Sequence, residues 1–245
     1  MQVNKFTDDT DISSNERFLA ARKSTWVSVL VNFFLTSGQV ITGVFSGSQG
    51  LIADGIHSLS DLVSDFVVLI ANHKSKKNPD DDHHYGHHRY ENGASLILGT
   101  ILFIVGIGML WSAANKMHQP EDIPQVHIVA LWAALTALVI KELLFRYMLT
   151  VATQVKSTML VANAWHARSD AASSLVVAIG IIGSLSGFKL LDPVAALVVG
   201  LIVTRMGYSF MSDSLHDLMD RAVDTETENS IKTTLLSTPG VEGIH

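Results

Sequence analysis

The sequence predicts an all-α membrane protein with six transmembrane helices and both termini in the cytoplasm. Of its 245 residues, 48% are hydrophobic and only 16% are charged, whereas soluble domains carry about 25% charged residues. Six apolar stretches approach the roughly 20 residues that a helix needs to cross the hydrocarbon core. They lie at 24–47, 50–72, 92–115, 126–149, 158–186 and 191–211.

The positions of lysine and arginine predict the orientation of these segments. The ends and loops that they mark as cytoplasmic contain Arg17, Arg22, Lys23, Lys74, Lys76, Lys77, Arg89 and Lys156, whereas the opposite side has only Lys116 and Lys189. Because cytoplasmic loops carry the excess of positive residues, both termini are expected inside. The chain then divides into an N-terminal cytoplasmic segment at 1–23, a transmembrane domain at 24–211 with a polar loop at 73–91, and a linker with the start of a cytoplasmic domain at 212–245. The polar N-terminus does not have the pattern of a signal peptide.

Composition also excludes several classes of function. The chain has no cysteine, which removes disulfides, zinc ribbons and thiol catalysis and leaves His, Asp and Glu as the strong metal ligands. The net charge of −6 argues against a nucleic-acid partner. No G-x-x-x-x-G-K-[ST] motif occurs, so ATP-driven pumping by this chain alone is not expected.

Two His-x-x-x-Asp pairs are the candidate site. His57 and Asp61 lie in the second apolar segment, and His166 and Asp170 lie in the fifth. Residues four apart share one helix face, so two facing pairs would supply the four ligands of a tetrahedral divalent-metal site. Two other interpretations are a polar patch facing a wet cavity and a His–Asp hydrogen bond within each pair.

Further charged residues accompany these pairs. Asp54 and Asp65 share the helix face of His57 and Asp61. We expect Asp54 to accept hydrogen bonds or pack against a neighbouring helix rather than to bind metal, and Asp65 to line the cytoplasmic route. Lys141, Glu142 and Arg146 predict charge pairing in the fourth segment, and Arg168, two residues from both His166 and Asp170, is expected to face away from them.

The loop phrase NPDDDHHYGHHRYE concentrates metal-binding side chains. Asp80, Asp81, Asp82, His83, His84, His87, His88 and Glu91 fall within a dozen residues. Imidazole and carboxylate ligands at this density predict a second divalent-metal site or a cytoplasmic collecting site. A solvated loop that binds nothing specific is the competing interpretation.

The chain resembles the cation diffusion facilitators, which are proton-coupled exporters of zinc and related metals. The resemblance rests on ADGIHSLSD, HHYGHHRYE, HARSD, the Asp192–Pro193 step and LMDRAVD. It implies that His57, Asp61, His166 and Asp170 bind the transported ion, that Asp80, His83 and His87 form a second metal site, and that the protein is a homodimer in the cell (inner) membrane. It also implies a cytoplasmic domain after the membrane part, of which STPGVEGIH would be only the start.

The ligand chemistry predicts a zinc carrier. Nitrogen and oxygen ligands in tetrahedral number suit Zn²⁺ best, Cd²⁺, Co²⁺ and Fe²⁺ remain candidates, and Mg²⁺ and Ca²⁺ fit poorly. Protons compete with metal for the same atoms, which predicts proton antiport by a secondary transporter rather than an enzyme. Two alternatives stay open. One is a metal sensor or scaffold, and the other is a membrane metalloenzyme, although the chain has no His-Glu-x-x-His motif.

Overall fold

The computed structural model describes residues 14–75, 89–119, 121, 123–222 and 225–237. These ranges contain seven helices, α1 Ser14–Ser46, α2 Gln49–Ser75, α3 Arg89–His118, α4 Ile128–Gln154, α5 Thr158–Leu185, α6 Leu191–Leu218 and α7 Thr225–Leu236. None of the described residues lies in a strand. The predicted all-α class is therefore confirmed.

Five of these helices contain segments that are long and apolar enough to cross a membrane, namely Arg22–Ser46, Arg89–His118, Ile128–Gln154, Leu160–Leu185 and Leu191–Leu218. The multi-pass membrane class is thus confirmed. Helix α2 is 27 residues long but is not among these five. It carries Asp54, Asp61 and Asp65 in the part where a lipid-facing helix would be apolar. The sixth span and the orientation of the termini stay predictions.

The helix ends extend past the predicted boundaries. The first helix begins at Ser14, inside the segment predicted as 1–23, and α6 continues to Leu218, past the predicted end at 211. Helix formation needs backbone hydrogen bonds and good propensity but no apolar side chains, so a helix can continue past the apolar stretch that marks a span. The region predicted as 212–245 contains the end of α6 and all of α7, and the last part of STPGVEGIH lies outside the described residues.

The second helix occupies the centre of the bundle, since it packs against α1, α3, α5 and α6. Small side chains let these helices approach one another, and much of the apolar core consists of alanine, including Ala130, Ala134, Ala178 and Ala195. Many of the large apolar side chains point outward, among them Phe34, Phe45, Trp111, Trp132 and Leu201. In a multi-pass membrane protein this outward apolar surface faces lipid.

The turn between α1 and α2 fixes the start of the central helix. Gly47 adopts a φ of +73°, a conformation in which a Cβ is costly. Asp192, at the start of α6, then accepts hydrogen bonds from the Gln49 backbone N–H at 2.6 Å and the Gly50 backbone N–H at 3.3 Å. The Ser48 hydroxyl donates to the same carboxylate at 2.6 Å. A carboxylate from α6 therefore satisfies backbone donors at the N-terminus of α2, which favours negative charge.

Candidate metal centre

Helices α2 and α5 each present a polar row to the other. On α2 the row consists of Asp54, His57, Asp61 and Asp65, and on α5 it consists of His166, Asp170, Ser173 and Ser174. Spacings of three and four residues place the members of the α2 row above one another on one helix face, and on α5 Asp170 lies four residues after His166 and three and four residues before Ser173 and Ser174. The two rows converge in the middle, where His57 and Asp170 come together across the interface.

Three of the four predicted ligands lie close together. One ligand atom from each of His57, Asp61 and Asp170 lies within 4.8 Å of the other two. His57 Nδ1 is 3.6 Å from Asp61 Oδ2, and His57 Nε2 is 3.9 Å from Asp170 Oδ1. Ligand atoms at the usual 2.0–2.2 Å from a tetrahedral zinc ion would be about 3.4 Å apart. Because an imidazole binds a given ion through only one of its two nitrogens, the three side chains would have to rearrange from their present separation, which is within 4.8 Å, to share one ion.

The cluster leaves buried polar atoms without hydrogen-bond partners. His57 Nδ1 and Asp61 Oδ2 are buried, and neither atom takes part in a hydrogen bond. The 3.6 Å between these two atoms is too long for a hydrogen bond. The interpretation of this pair as a self-contained His–Asp hydrogen bond is therefore wrong. Unpaired buried polar atoms are rare and costly in folded proteins, and an ion or a proton at the site would satisfy them.

His166 is the predicted ligand that the structure does not bring into the cluster. It lies one turn before Asp170 on α5, its side chain is exposed, and its ring does not belong to the group of three. Asp65, one turn after Asp61 on α2, is exposed as well. These two residues lie at the end of the polar rows nearer the C-terminus of α2.

At the other end of the rows, Asp54 lies in a buried polar cluster. The Gln39 amide on α1 donates to Asp54 Oδ2, and the hydroxyls of Ser173 and Ser174 donate to the same carboxylate at 3.0 and 2.6 Å. Lys141 Nζ on α4 is 3.3 Å from Asp54 Oδ2. Asp54 thus accepts hydrogen bonds from α1 and α5 and pairs with α4.

Lys141 does not take part in the charge pairing that the sequence predicts for it. Glu142 and Arg146 pair with each other, at 2.8 Å. Lys141 points into the bundle instead and is 3% exposed. A helical-wheel comparison of positions 141, 142 and 146 could have separated Lys141 from the other two, because Glu142 and Arg146 are four residues apart and Lys141 is not in their row.

The remaining predicted residues fall into two groups. Arg168 lies over the rings of Phe145 and Trp165, at 4.9 and 5.1 Å from their centroids, which is a cation–π arrangement between α4 and α5. The loop site predicted from Asp80, His83 and His87 lies outside the described residues.

The fold and the cluster together define a multi-pass integral membrane protein with a candidate divalent-metal site between two of its helices. Comparison with known proteins places the chain within one family. The sequence model of the cation efflux transmembrane domain matches residues 25–219. The chain belongs to the cation efflux family, the cation diffusion facilitators that the sequence phrases resemble.

Three relatives illustrate this membership. The chain is 33% identical to Metal tolerance protein C1 of Arabidopsis thaliana over 86% of its own length and 48% of that protein. It is 32% identical to Magnetosome protein MamB of Paramagnetospirillum magneticum over 90% of its length and 74% of the relative, and 32% identical to Manganese efflux system protein MneP of Bacillus subtilis over 94% and 80%. The chain thus spans about half the length of the plant relative.

Proposed function

We propose that this protein exports a divalent cation from the cytoplasm in exchange for protons, with Zn²⁺ as the preferred ion, and that it binds the ion between α2 and α5. One observation carries the proposal. His57, Asp61 and Asp170 offer three converging ligand atoms inside the membrane domain, and two of the buried polar atoms among them lack any hydrogen-bond partner.

The charges of this cluster suit a divalent ion. Asp61 and Asp170 contribute two negative charges and His57 contributes a neutral ligand, so bound M²⁺ makes the group formally neutral. Neutrality lowers the cost of holding ionised side chains at membrane depth, where each isolated charge costs at least about 2.5–3.5 kcal/mol. Protons on the carboxylates achieve the same neutrality, which makes protons and metal alternative occupants of one site.

His166 is proposed as the fourth ligand. It lies one turn before Asp170, on the same polar row of α5. A modest shift or rotation of α5 relative to α2 would bring its imidazole toward the other three side chains and complete a His₂Asp₂ set. In this proposal Asp65 and His166 form the mouth through which the ion reaches Asp61 and Asp170.

Exchange with protons follows from this competition. A site that binds metal only when its His and Asp side chains are deprotonated must release protons as metal binds. If helix movement opens the site alternately to each side of the membrane, an inward proton gradient drives the metal outward. This is the action of a carrier, and four protein ligands would leave no open position for the metal-bound water that an enzyme needs.

Zinc is proposed because imidazole is a softer ligand than a carboxylate. Zn²⁺ favours mixed nitrogen and oxygen ligands in a tetrahedron, whereas Mn²⁺ prefers oxygen ligands in larger number. The name of one relative, a manganese efflux system protein, makes Mn²⁺ the competitor to test. His57→Asp is expected to lower the preference for Zn²⁺ over Mn²⁺, and an unchanged ratio of their transport rates would contradict the zinc assignment.

The proposal also includes a topology and an assembly. We propose that α1 to α6 all cross the membrane, with α2 enclosed by its neighbours, that both termini are cytoplasmic, and that the protein is a homodimer in the cell membrane. The packing of α2 against four other helices supports the sixth span, since ionisable residues are tolerated in membranes where they face the bundle interior.

The decisive test is transport by the purified protein in lipid vesicles. Zn²⁺ flux is measured with and without an imposed pH gradient, for the parent and for the Asp61→Ala, Asp170→Ala double variant. We expect gradient-dependent flux in the parent and its loss in the double variant.

Asp217→Ala is the control, because Asp217 is an exposed carboxylate on α6; it should transport like the parent. Flux that ignored the pH gradient would contradict antiport. Stoichiometric Zn²⁺ binding without any flux would instead favour the sensor or scaffold interpretation.

A further inference from the structure

One buried cation lies beside the metal cluster and is not used by the proposed transport cycle. Among the described residues, Lys141 is the only buried lysine or arginine. Its ammonium donates to Ser174 Oγ at 2.6 Å and Ser58 Oγ at 3.0 Å, and lies 3.3 Å from Asp54 Oδ2. Burying a charge in this way is costly unless it is paired and hydrogen-bonded, so the Lys141 ammonium requires an oppositely charged partner.

That partner is Asp54, which is 0% exposed. Its carboxylate accepts from Gln39 on α1 and from Ser173 and Ser174 on α5, in addition to the ion pair with Lys141 on α4. Asp54 and Lys141 are therefore held together by four helices, and neither charge can move to water without breaking several hydrogen bonds.

This ion pair adjoins the metal cluster on both sides of the α2–α5 interface. Asp54 precedes His57 by one helical turn, and Ser58 directly follows His57. On the α5 side, Lys141 Nζ lies 3.5 Å from the backbone oxygen of Asp170. The ion pair therefore contacts the residue next to His57 on α2 and the backbone of Asp170 on α5.

We infer that Lys141 sets the charge that a bound cation experiences, by cancelling the negative charge of Asp54. With the ion pair intact, the cation meets two unopposed carboxylates, those of Asp61 and Asp170. Without the ammonium it would meet a third negative charge one turn away. Lys141 is thus a positioning residue that tunes how tightly the site binds its ion. The inference rests on one part of the proposed function, namely that the cluster of His57, Asp61 and Asp170 binds the ion.

An electrostatic role predicts effects of opposite sign for the two partners. Lys141→Met removes the positive charge with little change in length, so Zn²⁺ should bind at least about tenfold more tightly, given an effective dielectric constant near 20. Asp54→Asn keeps the shape and leaves the ammonium unopposed, so Zn²⁺ should bind at least about tenfold more weakly. A role in packing alone would weaken binding in both variants.

The double variant Asp54→Asn, Lys141→Met removes both charges together. Its Zn²⁺ affinity should return to within about threefold of the parent, because the net charge beside the cluster is again zero. Lys141→Arg keeps the charge and should also stay near the parent, which separates the charge from the shape of the side chain. In vesicles, Lys141→Met should lower both KM and the maximal rate, since a more tightly held ion is released more slowly.

The experiment is equilibrium dialysis of the purified full chain in detergent against Zn²⁺ at pH 8.5, where protons compete least. Near-ultraviolet circular dichroism confirms that each variant is folded. Shifts of opposite sign in the single variants, with recovery in the double variant, support the inference. Shifts of the same sign, or a double variant as impaired as the worse single variant, overturn it. Because this experiment measures binding, it separates the inference from the proposed function. A parent protein that binds Zn²⁺ but does not transport it contradicts the export function, and the variants still test the inference. A parent protein that does not bind Zn²⁺ at all overturns both the export function and the inference.

Discussion

The α3–α6 and α2–α5 interfaces are built in opposite ways. Between α3 and α6 the backbones touch: a Cβ on Gly99 would lie 2.5 Å from the Met211 backbone nitrogen, and one on Gly207 would collide with the backbone at Phe103. Between α2 and α5 the contact runs through ionisable and hydroxyl side chains, with His57 Nε2 3.9 Å from Asp170 Oδ1. The α3–α6 interface thus depends on glycines that let the two backbones come into contact, whereas the α2–α5 interface is formed by polar side chains.

The difference separates stability from chemistry. Close backbone packing gains dispersion contacts that any added methyl group would destroy, so α3 and α6 are expected to move as one unit. Polar pairs between α2 and α5 can exchange partners with a cation or with protons, so that interface is suited to rearrangement. Changes at α3–α6 should therefore damage folding, whereas changes at α2–α5 should damage ion binding first.

The largest effect is expected at the glycine-packed interface. Gly207→Ala places a methyl group against the α3 backbone at Leu102 and Phe103, and overpacking of this kind costs about 1–3 kcal/mol, or more where backbones must move. The matched control is Gly108→Ala, because a Cβ on Gly108 meets nothing within 4 Å, and alanine should stabilise the helix by up to about 1 kcal/mol. Thermal unfolding in detergent measures both; equal unfolding temperatures would contradict close packing as the source of rigidity.

A different outcome is expected for Asp61→Asn in α2. This change removes one charged ligand, and Zn²⁺ affinity should fall at least about 100-fold, equivalent to about 2.8 kcal/mol of binding free energy. Because the carboxylate is partly buried and leaves Oδ2 unpaired, its replacement by a neutral amide should leave the unfolding temperature unchanged or raise it. Isothermal titration with Zn²⁺ and thermal unfolding of the same sample test this prediction. A loss of stability that accompanied the loss of binding would contradict the view that the α2–α5 interface serves ion binding rather than folding.

A smaller effect is expected where α6 caps α2. Asp192→Ala removes the acceptor for the Gln49 and Gly50 backbone N–H groups. Loss of a helix cap costs about 0.5–2 kcal/mol, and here the affected helix carries His57 and Asp61. Thermal unfolding should show this loss, and Asp217→Ala on the same helix should not. An Asp192→Ala variant as stable as the parent would show that the cap does not anchor α2.

The smallest effect is expected at the exposed ends of the rigid interface. Arg89, at the start of α3, pairs with Asp220 after α6, and their side chains are 63% and 78% exposed. Surface ion pairs contribute about 0–1 kcal/mol and are screened by salt. Arg89→Ala should therefore change the free energy of unfolding by less than about 1 kcal/mol, and the change should shrink further in 0.5 M NaCl. A larger, salt-independent loss would mean that the α3–α6 unit depends on this pair as well as on its glycines.

Part of the glycine-packed interface was predictable from sequence, and part was not. Small residues in α3 such as Gly99 and Gly106 indicate close helix contacts in membranes, and both face the backbone of α6. Gly108 lies only two residues from Gly106 yet faces open space. The sequence alone does not reveal which face of a strongly apolar helix meets protein and which meets lipid, because both surroundings favour the same side chains.

The sequence by itself determined the helical membrane class, the approximate position of each helix and the two His-x-x-x-Asp pairs, because length, apolar content and a spacing of four residues are local properties of the chain. Only the tertiary structure decided that His57, Asp61 and Asp170 converge while His166 lies apart, and that Lys141 pairs with Asp54, a residue 87 positions away. These contacts depend on how the helices are rotated about their axes. That rotation is fixed by packing among all of them and by the need to pair each buried charge.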